Sequence, residues 1–73
     1  MLRDRDICKR FGARIAKLRE ERGWTQEDLE AKSHLARPYI SQIETGKYAP
    51  SLHAIKALAD SFGITVSKLT RGL

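Results

Sequence analysis

Residues 25–50 read TQEDLEAKSHLARPYISQIETGKYAP, and this stretch decides the fold. It holds two short helical patterns with a four-residue turn between them, followed by a Gly-Lys-Tyr loop. Trp24 and Leu29 bracket Thr25 and Asp28. An apolar residue before a hydroxyl cap, an acid three positions later and an apolar residue at the fourth helical position mark a capping box with a hydrophobic staple. The first helix of the pair therefore starts at Thr25 and ends near Ser33. Pro38 lacks an N–H and has a fixed φ suited to a first helical turn, so the second helix begins with Arg37 at or beside its cap. Ile40 and Ile43 turn inward, which leaves Arg37, Ser41 and Gln42 outward. Thr45 and Gly46 end this helix.

Upstream, Ile7, Phe11, Ile15 and Leu18 recur at helical spacing and predict an amphipathic helix over residues 6–22, stopped by Gly23. Downstream, Ser51 caps a helix that carries Leu52, Ile55, Leu58, Ala59 and Phe62 inward and is closed by Gly63. The cap-and-staple pattern returns at Ile64, Thr65 and Leu69 and starts a short terminal helix. The alternation over residues 64–66 is too short and too well capped for a strand. The reading is one all-α domain of five helices, residues 1–73, with its helix-turn-helix over residues 25–45. Trp24 is placed in the staple and core, and Cys8 packs beside Ile7.

A core in a chain of 73 residues rarely supplies more than about 3–5 kcal/mol, so support from a second subunit is expected. The spare hydrophobes Ile64, Val66, Leu69 and Leu73 are assigned to a homodimer contact within residues 64–73. Fourteen Lys and Arg against nine Asp and Glu give a net charge of +5, which favours a polyanionic partner. Residues 1–22 carry +4, residues 23–44 carry −2 and residues 45–73 carry +3. Basic segments thus flank the two short helices, the distribution expected when phosphates are gripped on either side of a helix that reads bases.

Other classes fit poorly. The one cysteine cannot close an internal disulfide, the start LRDRD is charged where a signal peptide is apolar, and no run approaches the roughly 20 apolar residues of a membrane span. A soluble, cytoplasmic, nucleoid-associated protein is expected. His34 and His53 lack a Cys or acidic partner at metal spacing, so no metal is expected. There is no nucleophile with an evident base, no phosphate-cradling Gly run and no acid pair that could line a cleft. Neither an enzyme nor a cofactor or small-molecule effector is expected.

The order TQEDL, PYISQIE, TGKYAPSL, ALADSFGI resembles the Cro and phage-repressor type of regulators, the XRE-like family of bacterial transcription factors. The resemblance runs from about residue 11 to residue 69, with Gln26, Ile40, Glu44, Gly46 and Pro50 at the family's spacing. It implies a compact five-helix domain of the lambda-repressor-like DNA-binding type, with the helix over residues 37–45 in the major groove of double-stranded DNA. It further implies that Gln26 binds phosphate, that Arg37, Ser41 and Gln42 face base edges, that Lys47 and Tyr48 meet the backbone, and that Arg19 and Glu44 form a salt bridge. The family usually has Ala where Glu30 stands, Gly where His34 stands and a capping hydroxyl where Ala36 stands. His34 is expected to adopt positive φ, Glu30 to lean into solvent or pair with a base, and Ala36 to cost roughly 1 kcal/mol of capping.

The chemistry of these side chains agrees with such roles. Arg37 can donate twice to guanine O6 and N7, Gln42 can pair with adenine, Ser41 can act through water and Pro38 can pack on a thymine methyl. Thr25, Gln26 and Ser51, at helix starts with free N–H groups, and Tyr39, Lys47 and Tyr48 beside them are the expected phosphate contacts. Arg10 and Arg14 are expected to add longer-range attraction. The expectation is a homodimeric regulator of a near-palindromic operator, in the manner of an autoregulator or a restriction-modification controller. The alternative is an antitoxin or protein-binding adaptor on the same fold, which needs a larger exposed apolar face than a dimer consumes.

Overall fold

The computed structural model describes residues 4–73, with side chains from Asp6 onward. Five helices follow one another: α1 (Asp4–Glu21), α2 (Gln26–Ser33), α3 (Arg37–Glu44), α4 (Leu52–Phe62) and α5 (Val66–Leu69), with no strand among the described residues. The starts of α2, α4 and α5 are set by side-chain caps. Thr25 Oγ1 accepts from the Asp28 N–H at 3.0 Å while Asp28 Oδ2 accepts from the Thr25 N–H at 2.8 Å, a reciprocal pair that satisfies donors no helix can satisfy internally. Ser51 and Thr65 cap α4 and α5 in the same way, each accepting at 3.0 Å.

The link between α2 and α3 is His34-Leu35-Ala36, one residue shorter than the turn expected, because Arg37 already has helical geometry. His34 takes the left-handed conformation, φ 62°, where the chain's own Glu30 carbonyl accepts its N–H at 2.8 Å. Leu35 then dips into the core, and Ser33 Oγ accepts its N–H at 3.1 Å inside the protein. A buried polar hydroxyl is thereby satisfied at the turn's tightest point.

The core unites Phe11 and Ile15 of α1, Leu29 of α2, Leu35, Ile40 and Ile43 of the turn and α3, Ala54, Leu58, Ala59 and Phe62 of α4, and Leu69 of α5. The α3 helix packs against α1 and α2, and α4 joins α1, α2 and α5. Trp24 is half-buried and stacks on Phe62, with ring centroids 5.7 Å apart and planes 9° from parallel. The Arg22 guanidinium lies over both rings and donates to the Phe62 carbonyl at 3.0 Å, closing the seam between the end of α1 and the end of α4.

Two expected placements are corrected. Leu52 is 77% exposed and Ala54 takes the inward position, because Leu52 is the first residue of α4 and lies at the rim of its apolar stripe, about 95° from the centre of Ala54, Leu58, Ala59 and Phe62. Leu69 is fully buried and is a core residue, not part of a dimer contact; the fourth position after the Thr65 cap points back into the protein. The guanidinium groups of Arg10 and Arg14 meet the C-terminal turn. Arg10 donates to the Gly72 carbonyl at 2.6 Å, and Arg14 to the carbonyls of Leu69 at 2.9 Å and Arg71 at 2.6 Å, because the last turn leaves carbonyls without intrahelical donors.

Ile64, Val66 and Leu73 are half-buried against the core. Leu73 also lines an apolar groove of about 410 Å³ together with Ile7, Cys8, Phe11, Ala49, Pro50, Ile55 and Thr70. Ile7 is exposed at its mouth. Since a buried Leu truncation costs about 2–5 kcal/mol, Leu69→Ala should lower the urea unfolding free energy by that amount at any protein concentration. A loss that grew on dilution would return Leu69 to an intersubunit role.

Candidate nucleic-acid interface

An eight-residue helix is too short to persist in water by itself, so α3 depends on its attachments. Glu44, its last residue, is the main one. Arg19 Nε of α1 donates to Glu44 Oε2 at 2.8 Å and Arg19 Nη2 to Oε1 at 3.1 Å, while Gln26 Nε2 at the start of α2 donates to Oε1 at 3.0 Å. Arg19 Nη1 also donates to the Trp24 carbonyl at 2.8 Å. One carboxylate thus joins α1, α2 and α3. The side chains of Arg19 and Glu44 retain only 13% and 7% of their exposure, so the forked geometry and the extra amide offset a real desolvation cost. The hydrogen bond to Glu44 raises the Arg19 pKa above its ordinary value, opposed by burial and helped by the Glu44 charge. A raised folded-state value adds stability below the unfolded pKa, so the pair is at full strength throughout the neutral range.

Gly12 was not singled out by its sequence context beyond an isolated glycine in a helical pattern, a signal for close packing. A Cβ there would run into the Ile43 carbonyl and sit 2.7 Å from the Glu44 carbonyl oxygen. Its absence lets α1 and the end of α3 touch backbone to backbone. Gly46, φ 75°, does the same for the following loop, where a Cβ would meet the Lys9 Cα at 2.7 Å.

The outer face of α3 carries Arg37, Pro38, Ser41 and Gln42, which cover an arc of about 140° at 3.6 residues per turn. Arg37 and Pro38 are exposed, and Ser41 and Gln42 are partly so. The Arg37 Nε lies 3.9 Å from Glu27 Oε2, and both side chains remain at least half exposed, so this ion pair is weak and easily opened. Glu30 neither leans into solvent nor pairs with a base: its Oε2 accepts the Arg37 N–H at 3.0 Å. It supplies the cap that Ala36 does not have.

The expected phosphate contacts fall into three groups. Lys47 and Tyr48 are exposed on the loop after α3. Tyr39 and Ser51 meet each other, the Tyr39 hydroxyl accepting the Ser51 N–H at 3.2 Å; the Ser51 amide is consumed, and the Tyr39 O–H keeps its proton for an outside acceptor. Thr25 and Gln26 are committed first to structure, Thr25 to the α2 cap and Gln26 to Glu44. Gln26 retains one side-chain donor, its second amide hydrogen. The backbone N–H and then the hydroxyl of Thr25 hold the Asp28 carboxyl below its ordinary pKa.

A helix-turn-helix with one face clamped and the other open belongs to the class of DNA-binding folds. The chain matches the helix-turn-helix family over residues 15–69, most of its length, and it belongs to that family, whose members matched below include transcriptional regulators. It is 42% identical over 65 residues to the control protein C.MunI of Mycoplasma sp, covering 88% of both chains. It is 43% identical over 58 residues to the immunity repressor of Bacillus phage phi105 and 38% identical over 60 residues to the regulator DdrOP3 of Deinococcus deserti, covering 80% and 82% of this chain. It spans 40% and 46% of those two longer relatives. Among solved structures, the restriction-modification controller protein C.AhdI of Aeromonas hydrophila superposes with a TM-score of 0.80 at 38% identity, over 88% of this chain and 96% of that one.

Removing one partner of a buried ion pair strands the other, at a cost of about 3 kcal/mol. Glu44→Ala should lower the denaturation midpoint accordingly, and the double variant Arg19→Leu/Glu44→Leu should recover part of the loss. Asp28 gives a pH signature. Its lowered folded-state pKa contributes stability present above about pH 4, where an unfolded Asp is ionised, and lost as pH falls through the folded value. The stability advantage of the parent over Asp28→Asn should therefore be full at pH 7 and shrink towards pH 2 in thermal melts.

Proposed function

We propose that this chain is a single DNA-binding domain, residues 1–73, that acts as a homodimeric transcriptional regulator on a near-palindromic operator. The observation that carries the reading is α3: its inner face is fixed by Glu44, Ile40 and Ile43, and its outer face leaves Arg37, Pro38, Ser41 and Gln42 open to a groove. Arg37 reads guanine, Gln42 adenine, Ser41 contacts a base through water and Pro38 packs on a thymine methyl. Thr25, Gln26, Tyr39, Lys47, Tyr48 and Ser51 hold the flanking phosphates, Ser51 through its hydroxyl.

Two copies place their α3 helices in successive major grooves about 34–36 Å apart. The dimer surface combines Ile64, Val66 and Leu73 with the groove of Ile7 and Ile55 and the exposed Leu52, apolar area that a monomer leaves in water. The likeness over most of their length to a control protein and to a restriction-modification controller supports a controller role of that kind, and we read its regulation as acting on its own expression. In this reading the protein works in the cytoplasm, associated with the nucleoid, and regulates through its own concentration without a small-molecule effector. No helix among the described residues is long and apolar enough to cross a membrane.

Selection of bound sites from random duplexes at fixed salt tests this reading, with a two-fold-symmetric consensus expected. On the selected site, Arg37→Ala should weaken binding by about 1–3 kcal/mol and blur one base position in each half-site. Lys47→Ala should weaken all duplexes alike and reduce the slope of affinity against salt by about one unit. Equal losses on operator and random DNA for Arg37→Ala would remove the base-reading role.

A further inference from the structure

The first turn of α3 lacks the usual local means of being held in place. Ala36 at the N-cap has no side chain that can accept a hydrogen bond, and Pro38 has no N–H at all. Of the backbone donors in that turn, the Arg37 N–H is taken by Glu30, seven residues earlier on α2, at 3.0 Å. Glu27 lies three positions before Glu30, on the same side of α2, and its Oε2 is 3.9 Å from the Arg37 Nε. Two carboxylates of α2 therefore address one residue of α3, one at its backbone and the other at its guanidinium.

We propose that Glu30 is a specificity-determining positioning residue, which holds the Arg37 backbone to α2 and so aims the guanidinium at its base. This rests on the base-reading role of Arg37 given above. A forked contact to a base edge tolerates only about 0.5 Å and 10–20° of error, and a first turn without a cap frays. The Glu30 bond removes that freedom at the residue where placement matters. Glu27 acts on the other end of the side chain, as a loose ion pair that keeps the guanidinium extended from the helix start and yields it to a base. Their charges also oppose a phosphate at the α3 N-terminus, which leaves that end to the Arg37 side chain.

The test separates aiming from simple capping. A hydroxyl at position 36 would accept from the third N–H of α3, that of Tyr39, and not from Arg37, so Ala36→Ser restores helix stability without restoring the grip on Arg37. Binding to the selected operator, and to operators altered at the base that Arg37→Ala blurs, is measured together with melting temperature. Glu30→Ala should lower discrimination at that base about fivefold or more and should add nothing in an Arg37→Ala background. Glu30→Gln, whose amide oxygen can accept from the same N–H, should keep the discrimination. Glu30→Ala/Ala36→Ser should regain the melting temperature but not the discrimination, and it supplies a folded background if Glu30→Ala alone is too unstable.

Unchanged discrimination in Glu30→Ala, or its recovery in the Ala36→Ser background, would overturn the proposal and leave Glu30 as a cap. If Arg37→Ala itself leaves base preference intact, base reading fails and the aiming role falls with it. If Arg37→Ala blurs the base while Glu30→Ala does not, only the aiming role falls.

Discussion

The carboxylate of Glu44 is where three helices become one object. Charge in a desolvated position is costly unless every lone pair finds a donor, and here Arg19 supplies two N–H groups and Gln26 a third. This demand for donors ties the end of α3 to the last turn of α1 and to the first residue of α2. The backbone contact at Gly12 brings α1 close enough for the bonds to form, and Ile40 and Ile43 bury the rest of the inner face. Glu30 completes the arrangement from the opposite end. A helix that could not exist alone is held at both ends and along one side, and only its outer side is free.

The acids of this region have a common logic. Residues 23–44 carry a net charge of −2, an odd property for the part of a basic chain that would face a polyanion. Yet Glu44 receives Arg19 and Gln26, Asp28 receives the Thr25 N–H, Glu30 receives the Arg37 N–H, and Glu27 lies beside the Arg37 guanidinium. Each acid in the segment is engaged in holding a helix end or a side chain. The negative charge there is architectural, and the surplus of positive charge lies in the flanking segments.

Much of this was legible in the sequence because it is local. Caps at Thr25, Ser51 and Thr65, the stop at Gly63 and the inward placement of Ile40 and Ile43 follow from residues within one turn of each other. The left-handed His34 was readable from the family resemblance, since only a position requiring positive φ usually holds Gly. What stayed hidden involves acceptors or donors that every residue possesses. Glu30 bonds to a backbone N–H, and Arg10 and Arg14 bond to backbone carbonyls, so no partner residue type betrays them. Leu52 and Leu69 were misplaced for a different reason: apolar character says that a residue prefers burial, while the angle around a short helix decides whether it is buried in its own chain. At the candidate interface, the outward arc of α3 was visible, and the prior commitment of Gln26 and Ser51 to internal bonds was not.

The seam between α1 and the last turn has one further property. Its donors are two arginine side chains, but its acceptors are the backbone carbonyls of residues 69, 71 and 72. The exposed side chain at position 71 can therefore drift during evolution without loosening the seam, while Leu69 must stay large and apolar and position 72, at φ 80°, favours glycine. A lineage that duplicated this gene could vary the outer chemistry of its tail while keeping the seam and the α3 face unaltered.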